Sequence, residues 1–252
     1  MPQFNLSNID SKAPEHLHKE DCKEQTKEML KDLAELQNLL YAEGKHALLV
    51  ILQGMDASGK DGVIRKVFGR LNPQGVRVAS FKVPTEEEAA HDFLWRIHKN
   101  VPRKGDIQIF NRSHYEDVLV TRVHGWCSDE LAQERFAAIN HFENLLQRHN
   151  NTVILKFYLH VSAEEQRERL QERMTNPAKM WKYNQKDFVE AALREKYYRY
   201  YQECFEHCNQ PEWTIVPSDQ NWYKEYVIAK KVFDSLKQLK MEYPSLPQTN
   251  AV

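Results

Sequence analysis

The chain has 252 residues, 41% hydrophobic and 28% charged, the balance of a globular protein rather than a disordered or fibrous one. Its formal net charge is −1, so no nucleic-acid partner is expected and a polyanion site must come from local clusters of Lys and Arg. There is no apolar run of membrane-spanning length and no charged-then-apolar leader at the start, so a cytoplasmic protein with no membrane partner is expected.

Residues 1–19 are polar and irregular and read as an arm. Over residues 20–43, Met29, Leu33, Leu36, Leu39 and Leu40 recur at helical spacing, and Gly44 stops the helix. Residues 47–52 are a short apolar run, hence a buried strand. The stretch 54–61, Gly-Met-Asp-Ala-Ser-Gly-Lys-Asp, follows the phosphate-loop pattern G-x-x-x-x-G-K-[ST] except at its last position. Residues 63–68 can continue as a helix, so strand, glycine loop and helix are in the required order. Gly54, Ala57, Ser58, Gly59, Lys60 and Gly62 are the candidate phosphate cradle. Asp61 stands where a hydroxyl normally holds Mg²⁺, so the metal must be held in another way.

Further strands are predicted at residues 76–81, 106–110, 152–159 and 214–216. Helices are predicted from a Thr85 capping box through His98, from Ser128 to about Arg148, from a Ser162 capping box to about Met174, over 185–207 and over 222–240. A loose tail follows Glu242. Strands alternating with helices imply a parallel sheet of about five strands covered on both faces, an α/β fold in one domain. Cys22, Cys127, Cys204 and Cys208 are too scattered for a disulfide framework. Cys204, His207 and Cys208 lack the remaining ligands of a metal site, so reduced, buried thiols are expected.

The strand at 106–110 runs into Asn111-Arg112-Ser113-His114-Tyr115-Glu116-Asp117, which belongs beside the phosphate loop because parallel sheets bind ligands past their strand C-termini. Asp56, Asp61 and Asp117 could supply carboxylate oxygens to Mg²⁺ or merely cap helices. Arg112 suits bidentate contact with a phosphate; a salt bridge is the alternative. Arg122 is a weaker phosphate candidate. His114 is a catalytic candidate or a packed, hydrogen-bonded ring. Residues 166–186 carry Arg167, Arg169, Arg173, Lys179, Lys182 and Lys186 against Glu168 and Glu172. This is a local cationic patch, or simply a solvated face. Arg169 and Arg173 share a helix face. Lys66 and Arg70, after the loop, and Lys82 could extend a polyanion channel.

The segments GMDASGKDG, NPQGVRVASFKVPTEEE, DFLWRIH, IFNRSHYEDVLVTRVH and NPAKMWKYNQKD together resemble the polyphosphate kinase 2 family, over about residues 48–222. The resemblance implies a P-loop kinase fold similar to thymidylate kinase, with a helical lid at about 163–186. It implies Mg²⁺-dependent, reversible transfer of the terminal phosphoryl group of inorganic polyphosphate to ADP or GDP, with Mn²⁺ as a substitute metal and homodimers or homotetramers. It assigns Asp56, Lys60, Arg112 and Asp117 to the family's catalytic positions, and the basic patch to a lid and phosphate-chain channel. Asp61 becomes the family form of the loop. Asn111, Arg112, His114, Tyr115 and Glu116 are the expected nucleotide-binding segment, and Glu116 resembles the branch that also accepts AMP. The competing readings are an ATP-dependent nucleoside monophosphate kinase and a non-catalytic nucleotide or polyphosphate sensor.

Overall fold

The layering of the molecule follows from the first strand. In a computed structural model that describes residues 5–246, β1 (Ala47–Gln53) is buried along its whole length. Leu49 and Ile51 enter one apolar cluster, while Leu48, Val50 and Leu52 enter another. Successive side chains of a strand point to opposite faces, so a strand covered on both sides must be apolar throughout.

With β2 (Val76–Ser80), β3 (Ile107–Asn111), β4 (Thr152–His160) and β5 (Trp213–Pro217) it forms a five-stranded sheet in the order β2-β3-β1-β4-β5. Every neighbouring pair is parallel, and the fold is the α/β P-loop kinase fold. The chain moves to one side of β1 for β2 and β3 and to the other for β4 and β5. That reversal opens a crevice at the C-terminal end of β1, where open α/β sheets bind their ligands.

On one face lie α1 (Lys19–Glu43) and α10 (Asn221–Gln238), which bury Leu33, Leu40, Ile228, Val232 and Leu236. On the other, α6 (Asp129–Asn150) and α9 (Arg194–His207) bury Phe136, Ile139, Phe142, Tyr201 and Cys204. Gly44 ends α1 in the left-handed conformation expected of a C-cap, with φ 63°. All four cysteines are free and buried.

The structure departs from the sequence expectations at several places. The helix expected from Thr85 to His98 is two short ones, α3 (Glu86–Ala89) and α4 (Trp95–His98). The Thr85 capping box is present, but Asp92 accepts from the Leu94 N–H at 2.9 Å and turns the chain. The first helix after the loop, α2 (Lys60–Val63), passes into a π-helical turn over Ile64–Phe68. The capping box expected at Ser162 is only half formed. Ser162 caps α7 (Ala163–Thr175), while Glu165 pairs with Arg169 instead of reaching back. The helix expected over 185–207 breaks at Leu193 into α8 (Lys186–Ala192) and α9. Arg194 then donates to the carbonyls of Val161 and Ser162.

Within the arm, the described part is docked. Leu6 is fully buried, and the Ser11 hydroxyl donates to Asp219 at 2.8 Å. The remaining short helix, α5 (Val120–Val123), follows the turn after β3. The ends of the arm and tail, residues 1–4 and 247–252, lie outside the described residues.

Candidate active site

The loop after β1 takes its shape from two glycines and one lysine. Gly54 (φ 143°) and Gly59 (φ 103°) adopt backbone conformations that L side chains rarely reach. A Cβ on Gly54 would meet the Leu159 carbonyl at 2.8 Å. Lys60 folds back and donates to the carbonyls of Gly54 (2.6 Å) and Met55 (3.1 Å). Burial and the neighbouring Arg112 charge push its ammonium down to about 8, against the pull of Asp56, Glu116 and Asp61.

Opposite the loop, the Arg112 N–H bonds to the Leu52 carbonyl at 3.0 Å. This fixes the turn after β3 beside the end of β1. Arg112 itself is left-handed, φ 63°, an uncommon backbone state for a non-glycine residue that clusters at functional sites. Its guanidinium bridges Asp56 (2.5 Å) and Glu116 (3.3 Å). Burial opposes charge on Asp56, but Arg112 and then Lys60 outweigh it, so the carboxylate is held below its usual range. Asp56, Lys60, Arg112 and Glu116 are thus one alternating charge cluster at the loop mouth.

Asp117 is placed differently. Its carboxylate pairs with Arg96 at 3.5 Å, and its carbonyl accepts from Thr121 (2.6 Å) and Arg135 (2.5 Å). Burial raises its pKa despite Arg96 and Arg135. Asp61 is exposed and takes bonds from Asn111 (2.9 Å) and Lys182. The three acids expected to share a metal each have their own cation or amide. Among the described residues no three metal-ligating side chains gather. Mg²⁺ needs only one or two carboxylates plus water and substrate phosphates, and Asp56, ionised and 23% exposed in its side chain, fits that requirement best.

The cationic patch is mostly engaged. Arg169 leaves the ligand side and braces the loop from behind, donating to the carbonyls of Ala57 (3.0 Å) and Ser58 (3.2 Å). Arg173 pairs with Asp187 at 2.5 Å, Lys179 with Glu172 and Lys182 with Asp61. The Lys182 pair is the one ion pair from this segment to a side chain of the loop among the described residues. Lys82 is exposed at the end of β2. Lys66 and Arg70 line a groove of about 640 Å³ with Lys23, Lys27, Arg65, Trp222 and Glu225.

Three expected contacts are not brought to the crevice. Arg122 is buried between Asp129 (2.6 Å) and Glu203 (2.7 Å), which holds it away from the loop. His114 and Tyr115 are fully buried, and both bond to Glu143, at 3.2 and 2.9 Å. Of the two readings of His114, the packed, hydrogen-bonded ring is the one observed. Their side chains point into the core because the 3₁₀ turn over His114–Val118 directs them behind the turn, while Arg112 and Glu116 face its front.

Sequence reasoning missed several partners. Gln166 donates to the Asp56 carbonyl (2.9 Å), Tyr201 accepts from the Gly54 N–H (3.2 Å), and Lys224 donates to the Ser58 carbonyl (3.2 Å). All three lie over 100 residues from the loop on helices, and no spacing rule connects them to it.

Residues 16–244 match the family described as polyphosphate kinase 2 (PPK2). An AMP/ADP-polyphosphate phosphotransferase of Meiothermus ruber is 49% identical over 219 residues, 86% of this chain and 81% of the relative. An ADP-polyphosphate phosphotransferase of Rhodopseudomonas palustris is 38% identical, covering 92% and 84%. The crystal structure of polyphosphate kinase 2 from Arthrobacter aurescens superposes with a TM-score of 0.92 at 39% identity, covering 100% of this chain and 91% of that one. With the family match spanning residues 16–244 and the similarities running over most of both chains, the chain belongs to the polyphosphate kinase 2 family.

Proposed function

We propose that this enzyme transfers the terminal phosphoryl group of inorganic polyphosphate to ADP or GDP, and also to AMP, in a Mg²⁺-dependent and reversible reaction. The observation that carries the reading is a cationic groove that follows the phosphate loop directly along the chain. Lys60 sits in the phosphate loop. Arg65, Lys66 and Arg70 follow it, and with Lys23 and Lys27 they line an open groove. A line of cations suits a phosphate chain better than a nucleobase, since each phosphate brings charge and no apolar surface. The similarity to the relative named an AMP/ADP-polyphosphate phosphotransferase supports the wider acceptor range.

The acceptor oxygen is a nucleotide phosphate, already anionic near neutral pH because a phosphate's second pKa is about 6. No general base is required. The acceptor oxygen attacks the terminal phosphorus as the bridging P–O bond breaks, and the shortened chain leaves with the bridging oxygen. Catalysis is then alignment and charge neutralisation. Lys60 and Arg112 neutralise the transferring group, exchanging their present carbonyl and carboxylate partners for phosphate oxygens. Asp56 would hold Mg²⁺, which would supply further neutralisation of the phosphate oxygens; Asp61 or Asp117 would join it only by leaving its present partners. Asn111 and Glu116 flank the acceptor side. Arg173, Lys179 and Lys182 would exchange their present carboxylate partners for phosphate oxygens as the segment over α7 and its following loop closes and excludes water, with Lys82 meeting the phosphates from the end of β2. A homodimer or homotetramer in the cytoplasm is part of the same proposal.

The test is an assay with polyphosphate, Mg²⁺ and either AMP or ADP, without ATP. Formation of ADP or ATP is expected with each acceptor. Transfer that occurs only from added ATP would overturn the reading in favour of an ordinary nucleotide kinase, and binding without transfer would leave a sensor.

A further inference from the structure

The back of the phosphate loop is held by cations whose presence the fold does not explain. Lys224, on the first turn of α10, is 1% exposed. Its ammonium lies 3.2 Å from the Ser58 carbonyl, and among the described residues no carboxylate is within ion-pair distance of it. A Cβ on Gly59 would lie 2.1 Å from that nitrogen, so Lys224 reaches the loop only because residue 59 is glycine. Arg169, from α7, donates to the same Ser58 carbonyl at 3.2 Å and also to the Ser218 and Asp219 carbonyls at 2.8 and 2.7 Å.

Burying an ammonium without a carboxylate is costly, and an apolar side chain of similar length would stabilise the fold more. Burial and the charge of Arg169 push Lys224 down to about 7, against the weaker pull of Glu225, Glu165 and Asp219. The location of the charge supplies a reason for keeping it. In a planar trans peptide the N–H points opposite to the C=O. Two cations on the outer side of the Ser58 carbonyl therefore aim the Gly59 N–H at the inner side, where a phosphate would sit, and polarise it.

We infer that Lys224 is a positioning residue for phosphoryl transfer, holding the Ser58–Gly59 peptide from outside the loop, with Arg169, so that its N–H faces the bound phosphate chain. The inference rests on the polyphosphate reading for the identity of the ligand. The peptide orientation itself concerns any phosphate in the loop.

The experiment is Lys224→Met in the full-length enzyme, measured three ways. Thermal melting should give a Tm equal to or above wild type, since the buried charge is gone and the Ser58 carbonyl keeps Arg169. Calorimetric affinity for inorganic tripolyphosphate should weaken by about tenfold, the effect of about one charge-assisted hydrogen bond. The KM for polyphosphate should rise by a similar factor while the KM for ADP changes less than about twofold. A lowered Tm with unchanged tripolyphosphate affinity would mean that Lys224 only fills space, and unchanged affinity at any Tm overturns the inference. If the variant does not fold, Lys224→Gln, which keeps a donor but no charge, decides by the same affinity measurement. A wild-type enzyme that binds tripolyphosphate but makes no ATP from polyphosphate would sink the proposed function. The comparison between wild type and variant in binding would still stand.

Discussion

Two charge clusters share the turn after β3, and they are built on opposite terms. In front, Asp56, Lys60, Arg112 and Glu116 lie at the crevice, and the Asp56 and Arg112 side chains are 23% and 35% exposed. Behind, Glu143, Lys156, His114 and Tyr115 are sealed at 1% exposure or less. Lys156 donates to Glu143 (2.8 Å), to the Tyr115 hydroxyl (3.0 Å) and to the Cys208 carbonyl (2.8 Å). Glu143 accepts from Tyr115 and Lys156 and lies against His114 Nε2. Its charge is balanced by protein alone. The front cluster keeps open coordination toward solvent, and its lysine rests on main-chain carbonyls that a phosphate can replace. Charge density therefore does not distinguish the two; unspent capacity at the surface does.

The sharpest break between them comes from single substitutions. Lys60→Met removes the cation of the cradle and should cost about 10²–10³-fold in kcat/KM, the scale of losing one transition-state charge contact, with Tm within a few degrees of wild type. Glu143→Ala should do the reverse. It strands the Lys156 ammonium in the core and should cost about 3 kcal/mol of stability, seen as a large drop in Tm, while the surviving folded enzyme keeps its KM values. A Glu143→Leu/Lys156→Met double variant should recover much of that loss, and failure to recover would mean the pair orders the turn as well as filling it.

The clusters also differ in pH response. Burial opposes charge on Glu143, but the His114 hydrogen bond and the Lys156 charge outweigh it, so its folded pKa is lowered. The folded state then binds fewer protons than the unfolded state as pH falls. The stabilisation is present above the ordinary Glu pKa and is lost as pH drops through the folded value. Glu143→Gln should flatten the acid limb of a Tm-against-pH profile. Lys224 acts on the alkaline side. Its folded pKa of about 7 lies below its ordinary 10.5, so the unfolded state binds more protons across that window and stability rises with pH through it. Lys224→Met should remove that rise, and an unchanged profile would contradict the buried charge. The smallest effect is expected at the Lys182–Asp61 bridge, where side chains are 31% and 60% exposed. Lys182→Ala should change stability by less than about 1 kcal/mol and act instead on the KM for phosphate substrates.

Much of the active centre was legible because its parts are local. Residues 54–61 are contiguous, and their glycines are demanded by backbone angles that other residues do not adopt. Residues 111–117 follow a strand whose C-terminal end faces the crevice in any such sheet. Arg122, Tyr115 and the nucleotide-binding reading of His114 missed for a complementary reason. Composition cannot tell which side of a turn a side chain takes, and a buried Glu143 on a distant helix drew two of them inward. Arg169 and Arg173 share a helix face as spacing required, yet one braces the loop and the other pairs with Asp187. Side chains that share a helix face still reach to different partners.

By itself the sequence determined the parallel sheet, since short strand-like segments alternate with amphipathic helices around a continuous apolar run at β1, and it determined the phosphate loop, since that chemistry needs glycines and a lysine at short fixed spacing. Only the tertiary structure decided which charges remain available to a ligand. Burial and pairing are set by elements far apart in the chain, as when Lys224 of α10 and Arg169 of α7 meet at the Ser58 carbonyl.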